Sequence, residues 1–113
     1  MTQTWRLSLV AVAALAWHAS PVMAQANTQG DADAGRVKAS TCIGCHGIDD
    51  YKNVYPTFRV PKLGGQHAAY IESALKAYRS GDRTHPTMQG QASSLSDQDI
   101  ADISAFLANA PKE

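Results

Sequence analysis

Thr41-Cys42-Ile43-Gly44-Cys45-His46-Gly47 decides how the rest of the chain is read, because it sets two thiols and an imidazole almost side by side. Three chemistries use such a spacing. A redox dithiol places its C-x-x-C at the start of a helix that follows a strand, and nothing upstream of Thr41 reads as a strand. A structural zinc site needs four ligands, whereas this sequence has no second C-x-x-C and no paired histidine spacing. Covalent haem attachment needs two thiols three positions apart for the vinyl groups and an adjacent histidine for the iron. On a helical turn Cys42 and Cys45 reach one porphyrin edge while His46 turns beneath the iron. The haem reading uses all three side chains.

The residues before the motif read as an export signal. Arg6 precedes the unbroken apolar run Leu7 to Trp17, and Val22-Met23-Ala24 supplies a small-x-small cleavage pattern. The 11 residues of that run would rise about 17 Å as a helix, too little for the ~30 Å of a hydrocarbon core. The expected organisation is therefore a signal peptide at 1–24, a short linker at 25–30 and one domain at 31–113. Cleavage after Ala24 would deliver that domain to the periplasm without a transmembrane span.

Composition asks for a cofactor independently. The 113 residues carry 10 basic and 10 acidic side chains, which argues against a basic nucleic-acid binder and against a highly charged disordered tail. The 44% hydrophobic content looks ample, but the signal segment inflates it. Of the 89 residues from position 25 onward, 34 are hydrophobic and only 14 are Leu, Ile, Val or Phe. That is about 16%, below the roughly 20% at which a packed core becomes doubtful. So small a core needs disulfides, a metal or a cofactor. Two cysteines are too few for a disulfide scaffold and the right number for one haem.

Three segments have helical spacing. The first runs from about Asp31 through Cys42, with Asp31 and Asp33 at the positive end of the helix dipole and Gly35 placed for close approach of another helix. The second runs from about Gln66 to Ser80, with Ile71, Ala74, Leu75 and Tyr78 on one stripe and Gly81 ending it in the left-handed conformation. The third starts at Ser96 as N-cap, with Asp97 and Asp99 in the first turn and Leu95 and Ile100 spaced as a hydrophobic staple. Its inner face, Ile100, Ile103, Phe106 and Leu107, is expected to cross the first helix at Gly35. The long segment from Gly47 to Gly65 is expected to wrap a haem edge with Tyr51, Tyr55, Phe58 and Val60.

A second axial ligand is sought by elimination. Met88 is the one methionine beyond the signal, and it lies in Arg83-Thr84-His85-Pro86-Thr87-Met88, read as a loop between two helices. His85 in the same loop and His67 at the start of the second helix are the competing ligands.

Taken with the motif, Pro61-Lys62-Leu63-Gly64-Gly65-Gln66, Leu75 to Arg83, Pro86-Thr87-Met88 and Leu95 to Ile103 resemble class I c-type cytochromes. The chain looks most like one half of the bacterial dihaem cytochromes c and their small monohaem relatives. The resemblance implies an all-α fold of three main helices and long loops wrapped around one covalently bound haem c. It implies Cys42 and Cys45 as thioether ligands, His46 and Met88 as axial iron ligands, and the Pro61 carbonyl as acceptor from His46. It implies a periplasmic electron carrier. With both axial positions filled no substrate need bind iron, which argues against an enzyme; a monomer serving periplasmic or membrane-bound dehydrogenases, oxidases or reductases is expected. Residues 52–83 hold six basic against two acidic side chains, a candidate surface for steering acidic redox partners.

Overall fold

The computed structural model describes residues 28–54 and 57–111. The expected signal segment, the first part of the linker and Tyr55 lie outside the described residues. The described chain is helical: α1 Ala32–Lys38, α2 Ser40–His46, α3 Ala68–Ser80, α4 Pro86–Ala92 and α5 Asp97–Asn109.

Helix starts follow local chemistry. The Asp31 carboxylate accepts from the Asp33 and Ala34 amides at the head of α1. Ser96 and Asp99 form a reciprocal capping box at the head of α5, and Leu95 and Ile100 both join the core. Helix α3 ends at Gly81, whose φ of 89° suits a residue without Cβ.

The expected helix from Asp31 through Cys42 and the expected loop around Met88 need correction; the expected helix to Ser80 is present as α3. The helix expected from Asp31 through Cys42 is broken at Ala39, where ψ is 2°; Ala39 is fully buried, and α2 starts afresh and carries on to His46. The segment holding Met88, expected as a loop, is the short helix α4. Pro86 there fixes a helical φ at a position that has no need of its missing N–H, so it starts a helix instead of preventing one.

Helices α1 and α5 pack most closely. A Cβ at Gly35 would collide with the Asp102 carbonyl, and one at Gly30 with the Ala101 carbonyl, so the expected crossing at Gly35 is present. Alanine at position 35 should gain about 1 kcal/mol of helix propensity and lose more by forcing the backbones apart. A net loss of roughly 1–3 kcal/mol is expected, lowering the melting temperature by at least about 4 °C in a domain of this size. Thermal unfolding of Gly35→Ala checks this, and a stabilised variant would show that the contact is not close.

The same crossing buries a carboxylate. Asp102 is 2% exposed and accepts from the Asp31 amide at 2.8 Å, Gln98 Nε2 at 2.7 Å and Lys38 Nζ at 2.6 Å. Lys38 also pairs with Asp99 at 2.8 Å. The Asp31 amide and then Lys38 hold the Asp102 carboxyl below its ordinary 3.8, and Lys38 does the same for Asp99. Asp102 in turn raises Lys38. Depressed carboxyls contribute stability above their unfolded pKa and lose it as pH falls through the folded value. Melting temperature should therefore drop as pH falls below 3.8, and Asp102→Asn should flatten that decline while lowering stability at neutral pH. At the alkaline end the sign reverses: Lys38 contributes below 10.5 and loses its share as pH rises through its raised value.

The buried core is small: Ala39, Ile71, Leu75, Ala92, Ile100, Ile103 and Leu107. Leu63, Tyr78, Met88 and Cys42 are only partly buried against it, and these residues also line an open cleft.

Candidate functional site

The cleft holds about 370 Å³, and Ile71, Leu75 and Ile103 of the core form part of its wall. Helix α2 contributes Cys42, Cys45 and His46 to that wall. Both thiols are free and half-buried, and burial pushes the Cys42 thiol above its ordinary value. Their spacing on one helical turn sets both on the same face of the cleft.

His46 closes α2. Its Nδ1 lies 2.6 Å from the Pro61 carbonyl, so the Nδ1–H donates and Nε2 keeps its lone pair. A ring tied by one nitrogen is oriented and has the other available for a metal. Met88 comes to the cleft from α4, where it is third in the helix and half-buried. Of the two competing histidines, His85 lines the cleft; His67 is the exposed N-cap of α3 and does not.

The segment between α2 and α3 forms a hairpin-like arm. Lys52 and Arg59 make an antiparallel bridge, the Asn53 amide donates to Phe58 at 3.0 Å, and the Val60 amide donates to Tyr51 at 2.9 Å. Arg59 also pairs with Asp50. Asn53, Phe58, Val60 and Pro61 from this arm line the cleft, so the long loop borders the site through two of the four residues expected there, Phe58 and Val60, while Tyr51 does not line it.

The basic middle segment is less free than its sequence suggests. Arg59 pairs with Asp50, Lys62 with Asp49 at 2.6 Å, Lys76 with Glu72 at 3.7 Å and Arg79 with Asp97 at 2.5 Å. Arg83 lies over the Tyr78 ring, 4.6 Å from its centroid. Local carboxylates thus offset most of the charge that the sequence gathers there.

Sequence reasoning missed two features of this wall. Lys38 lines the cleft while held by Asp99 and Asp102; its place four residues before Cys42 was the available signal. The stacking of Arg83 on Tyr78 had no local signal beyond the turn that follows Gly81.

The donor set suits a haem. Two unpaired thiols, an oriented imidazole and a thioether meet on one largely apolar wall. Among the described residues, no three His, Cys, Asp or Glu side chains are gathered in a way that would hold a bare metal ion. The zinc reading therefore lacks its ligands.

Comparison with known proteins agrees. The family model described as Cytochrome c matches residues 32–111. The chain is 46% identical over 83 residues to cytochrome c-554(548) of Halomonas halodenitrificans, covering 71% of this chain and 96% of that protein. It is 42% identical over 84 residues to cytochrome c4 of Pseudomonas aeruginosa, covering 74% of this chain and 40% of that one. The crystal structure of reduced cytochrome c4 from Pseudomonas stutzeri superposes with a TM-score of 0.57 at 32% identity, over 74% of this chain and 52% of the other. The chain thus spans about half the length of the cytochromes c4. With nearly the whole described chain inside that family match and both thiols of its C-x-x-C-H on the wall of an apolar cleft, this protein belongs to the cytochrome c family, an electron-transfer protein with covalently bound haem c.

Proposed function

We propose that the chain is a periplasmic monohaem carrier that moves single electrons between redox proteins, with His46 and Met88 as the axial iron ligands. The observation that carries this reading is the meeting of Cys42, Cys45, His46 and Met88 on one cleft, with His46 Nδ1 held by Pro61. Haem iron, when bound, supplies a one-electron ferric–ferrous couple.

The chain's own residues do the rest. Cys42 and Cys45 hold the porphyrin edge through thioether bonds. The Pro61 carbonyl fixes the His46 ring, so Nε2 keeps one direction in both redox states. Met88 would supply the second iron ligand, which would leave no site open to oxygen or peroxide and would favour the reduced state. Ile71, Leu75 and Ile103 exclude water from the pocket. Residues 1–24 direct export and are removed, and 31–113 form the carrier domain. Its partners are periplasmic or membrane-bound dehydrogenases, oxidases or reductases.

Absorption spectra of the exported protein test the proposal. The expected result is a narrow c-type α band on reduction and, in the ferric state, the band of methionine–iron ligation. Absence of covalently bound haem would sink the reading; covalent haem without the ferric band would remove Met88 from it.

A further inference from the structure

Helix α4 has seven residues, too few for a helix that is stable by itself, yet it presents Met88 from its first turn. Its N-cap is His85, a weak residue for that position. His85 is extended, with φ −160° and ψ 106°, and its Nδ1 accepts from the Met88 amide at 3.4 Å. A further contact of this imidazole comes from far along the chain. Phe58, on the arm between α2 and α3, lies with its ring centroid 4.7 Å from that of His85 at an interplanar angle of 52°. That tilted geometry is a favourable aromatic arrangement.

The arm itself is held in register at Phe58 and just beyond it. Its carbonyl accepts from Asn53, and the neighbouring Arg59 pairs with Asp50. Phe58, His85 and Met88 all line the cleft.

We infer that Phe58 and His85 form a brace that positions Met88: the arm fixes the imidazole, and the imidazole fixes the backbone from which the thioether projects. This rests on Met88 being an axial ligand. The function of the brace is to keep the methionine on the iron when the ferric state weakens its hold. Phe58 and His85 are positioning residues, since they act on Met88 through the backbone of α4.

The test is imidazole titration of the ferric holoprotein, following loss of the methionine–iron band, in Phe58→Leu, His85→Asn and the double variant. Asparagine retains a side-chain acceptor for the cap and removes the ring; leucine retains apolar bulk and removes the other ring. An aromatic pair of this kind is worth roughly a factor of 2 to 12 in an equilibrium. Each single variant should bind imidazole tighter by about that factor, and the double variant should go little beyond the larger single effect. Asp102→Asn, which weakens the α1–α5 crossing away from α4, should lower the melting temperature and leave imidazole affinity unchanged. Unchanged affinity in Phe58→Leu and His85→Asn overturns the brace, and so does an equal rise in Asp102→Asn or fully multiplicative single effects. A ferric band missing from the unaltered protein overturns the ligand assignment itself, and the brace with it; the band present with unresponsive variants overturns the brace alone.

Discussion

Serine at both Cys42 and Cys45 should leave a protein with no covalently held haem and, as a consequence, no stable fold. The side chains exchanged are small, so their packing is a minor part of the expected effect. The larger part comes from what surrounds them. Among the described residues, seven make the buried core cluster, and Ala39 and Ala92 are two of those. Ile71, Leu75 and Ile103 belong to that core and also face the cleft, so a chain without haem would present their apolar surface to water. Burial of a single such side chain is worth roughly 1.5–3 kcal/mol, against a total stability for small domains of about 5–15 kcal/mol. Losing several partners at once removes most of that margin. The double variant should show no haem stain after denaturing electrophoresis, and its helical circular dichroism should collapse. Either single variant should retain haem through the remaining thioether, with lower yield. Covalent haem in the double variant would place the attachment elsewhere, and full helicity without haem would mean that the seven-residue core suffices.

How much of this was legible beforehand depends on the range of the interaction involved. The caps at Asp31 and Ser96, the stop at Gly81 and the staple at Leu95 and Ile100 rest on groups within five residues of one another, and the sequence displays such patterns directly. The crossing at Gly35 is a longer-range matter, but a glycine inside an otherwise good helix is costly enough to announce a close contact. The cleft residues Cys42, Cys45, His46 and Met88 were legible because few alternatives exist in so short a chain. Placing Pro61 beside His46 needed the family resemblance, since a backbone carbonyl leaves no mark in a sequence.

Other features were not legible, and for a common reason. Asp102 lies between Ala101 and Ile103 and reads as one more polar position on a helix; its burial follows from where Lys38, Gln98 and the Asp31 amide arrive in three dimensions. The break at Ala39 reflects the turn needed to bring α2 to the cleft, which no local propensity encodes. Pro86 was ambiguous, because proline both stops a helix and starts one; His85 resolves it only once its ring is seen capping the Met88 amide. The pairing of Arg59, Lys62, Lys76 and Arg79 with nearby carboxylates likewise appears only in space. It reduces the steering charge that a count along residues 52–83 suggests.

Alanine at Met88 is expected to change the redox chemistry more than any other substitution that leaves the haem attached. Both proposed axial ligands come from short helices, and only one of them is tied by a strong external bond. His46 is held by Pro61 at 2.6 Å, so loss of Met88 should leave the histidine side intact and open the other. A thioether stabilises the ferrous state; without it the potential should fall on the order of 0.2 V, a fraction of the ~0.8 V over which axial ligands set haem potentials. The reduced variant should bind carbon monoxide rapidly, whereas the unaltered protein should not, and the ferric methionine band should disappear. His85 is the residue most able to spoil this result, being three positions away on the same wall. Its Nδ1 faces the amide of residue 88 and its ring lies against Phe58, so reaching the iron would require α4 to unwind its first turn and the imidazole to leave Phe58. Rapid carbon monoxide binding by Met88→Ala would show that it does not do so. If Met88→Ala keeps its potential within about 0.05 V and excludes carbon monoxide, while Met88→Ala combined with His85→Ala does not, then histidine is the ligand, and helix α4 serves to deliver His85 instead.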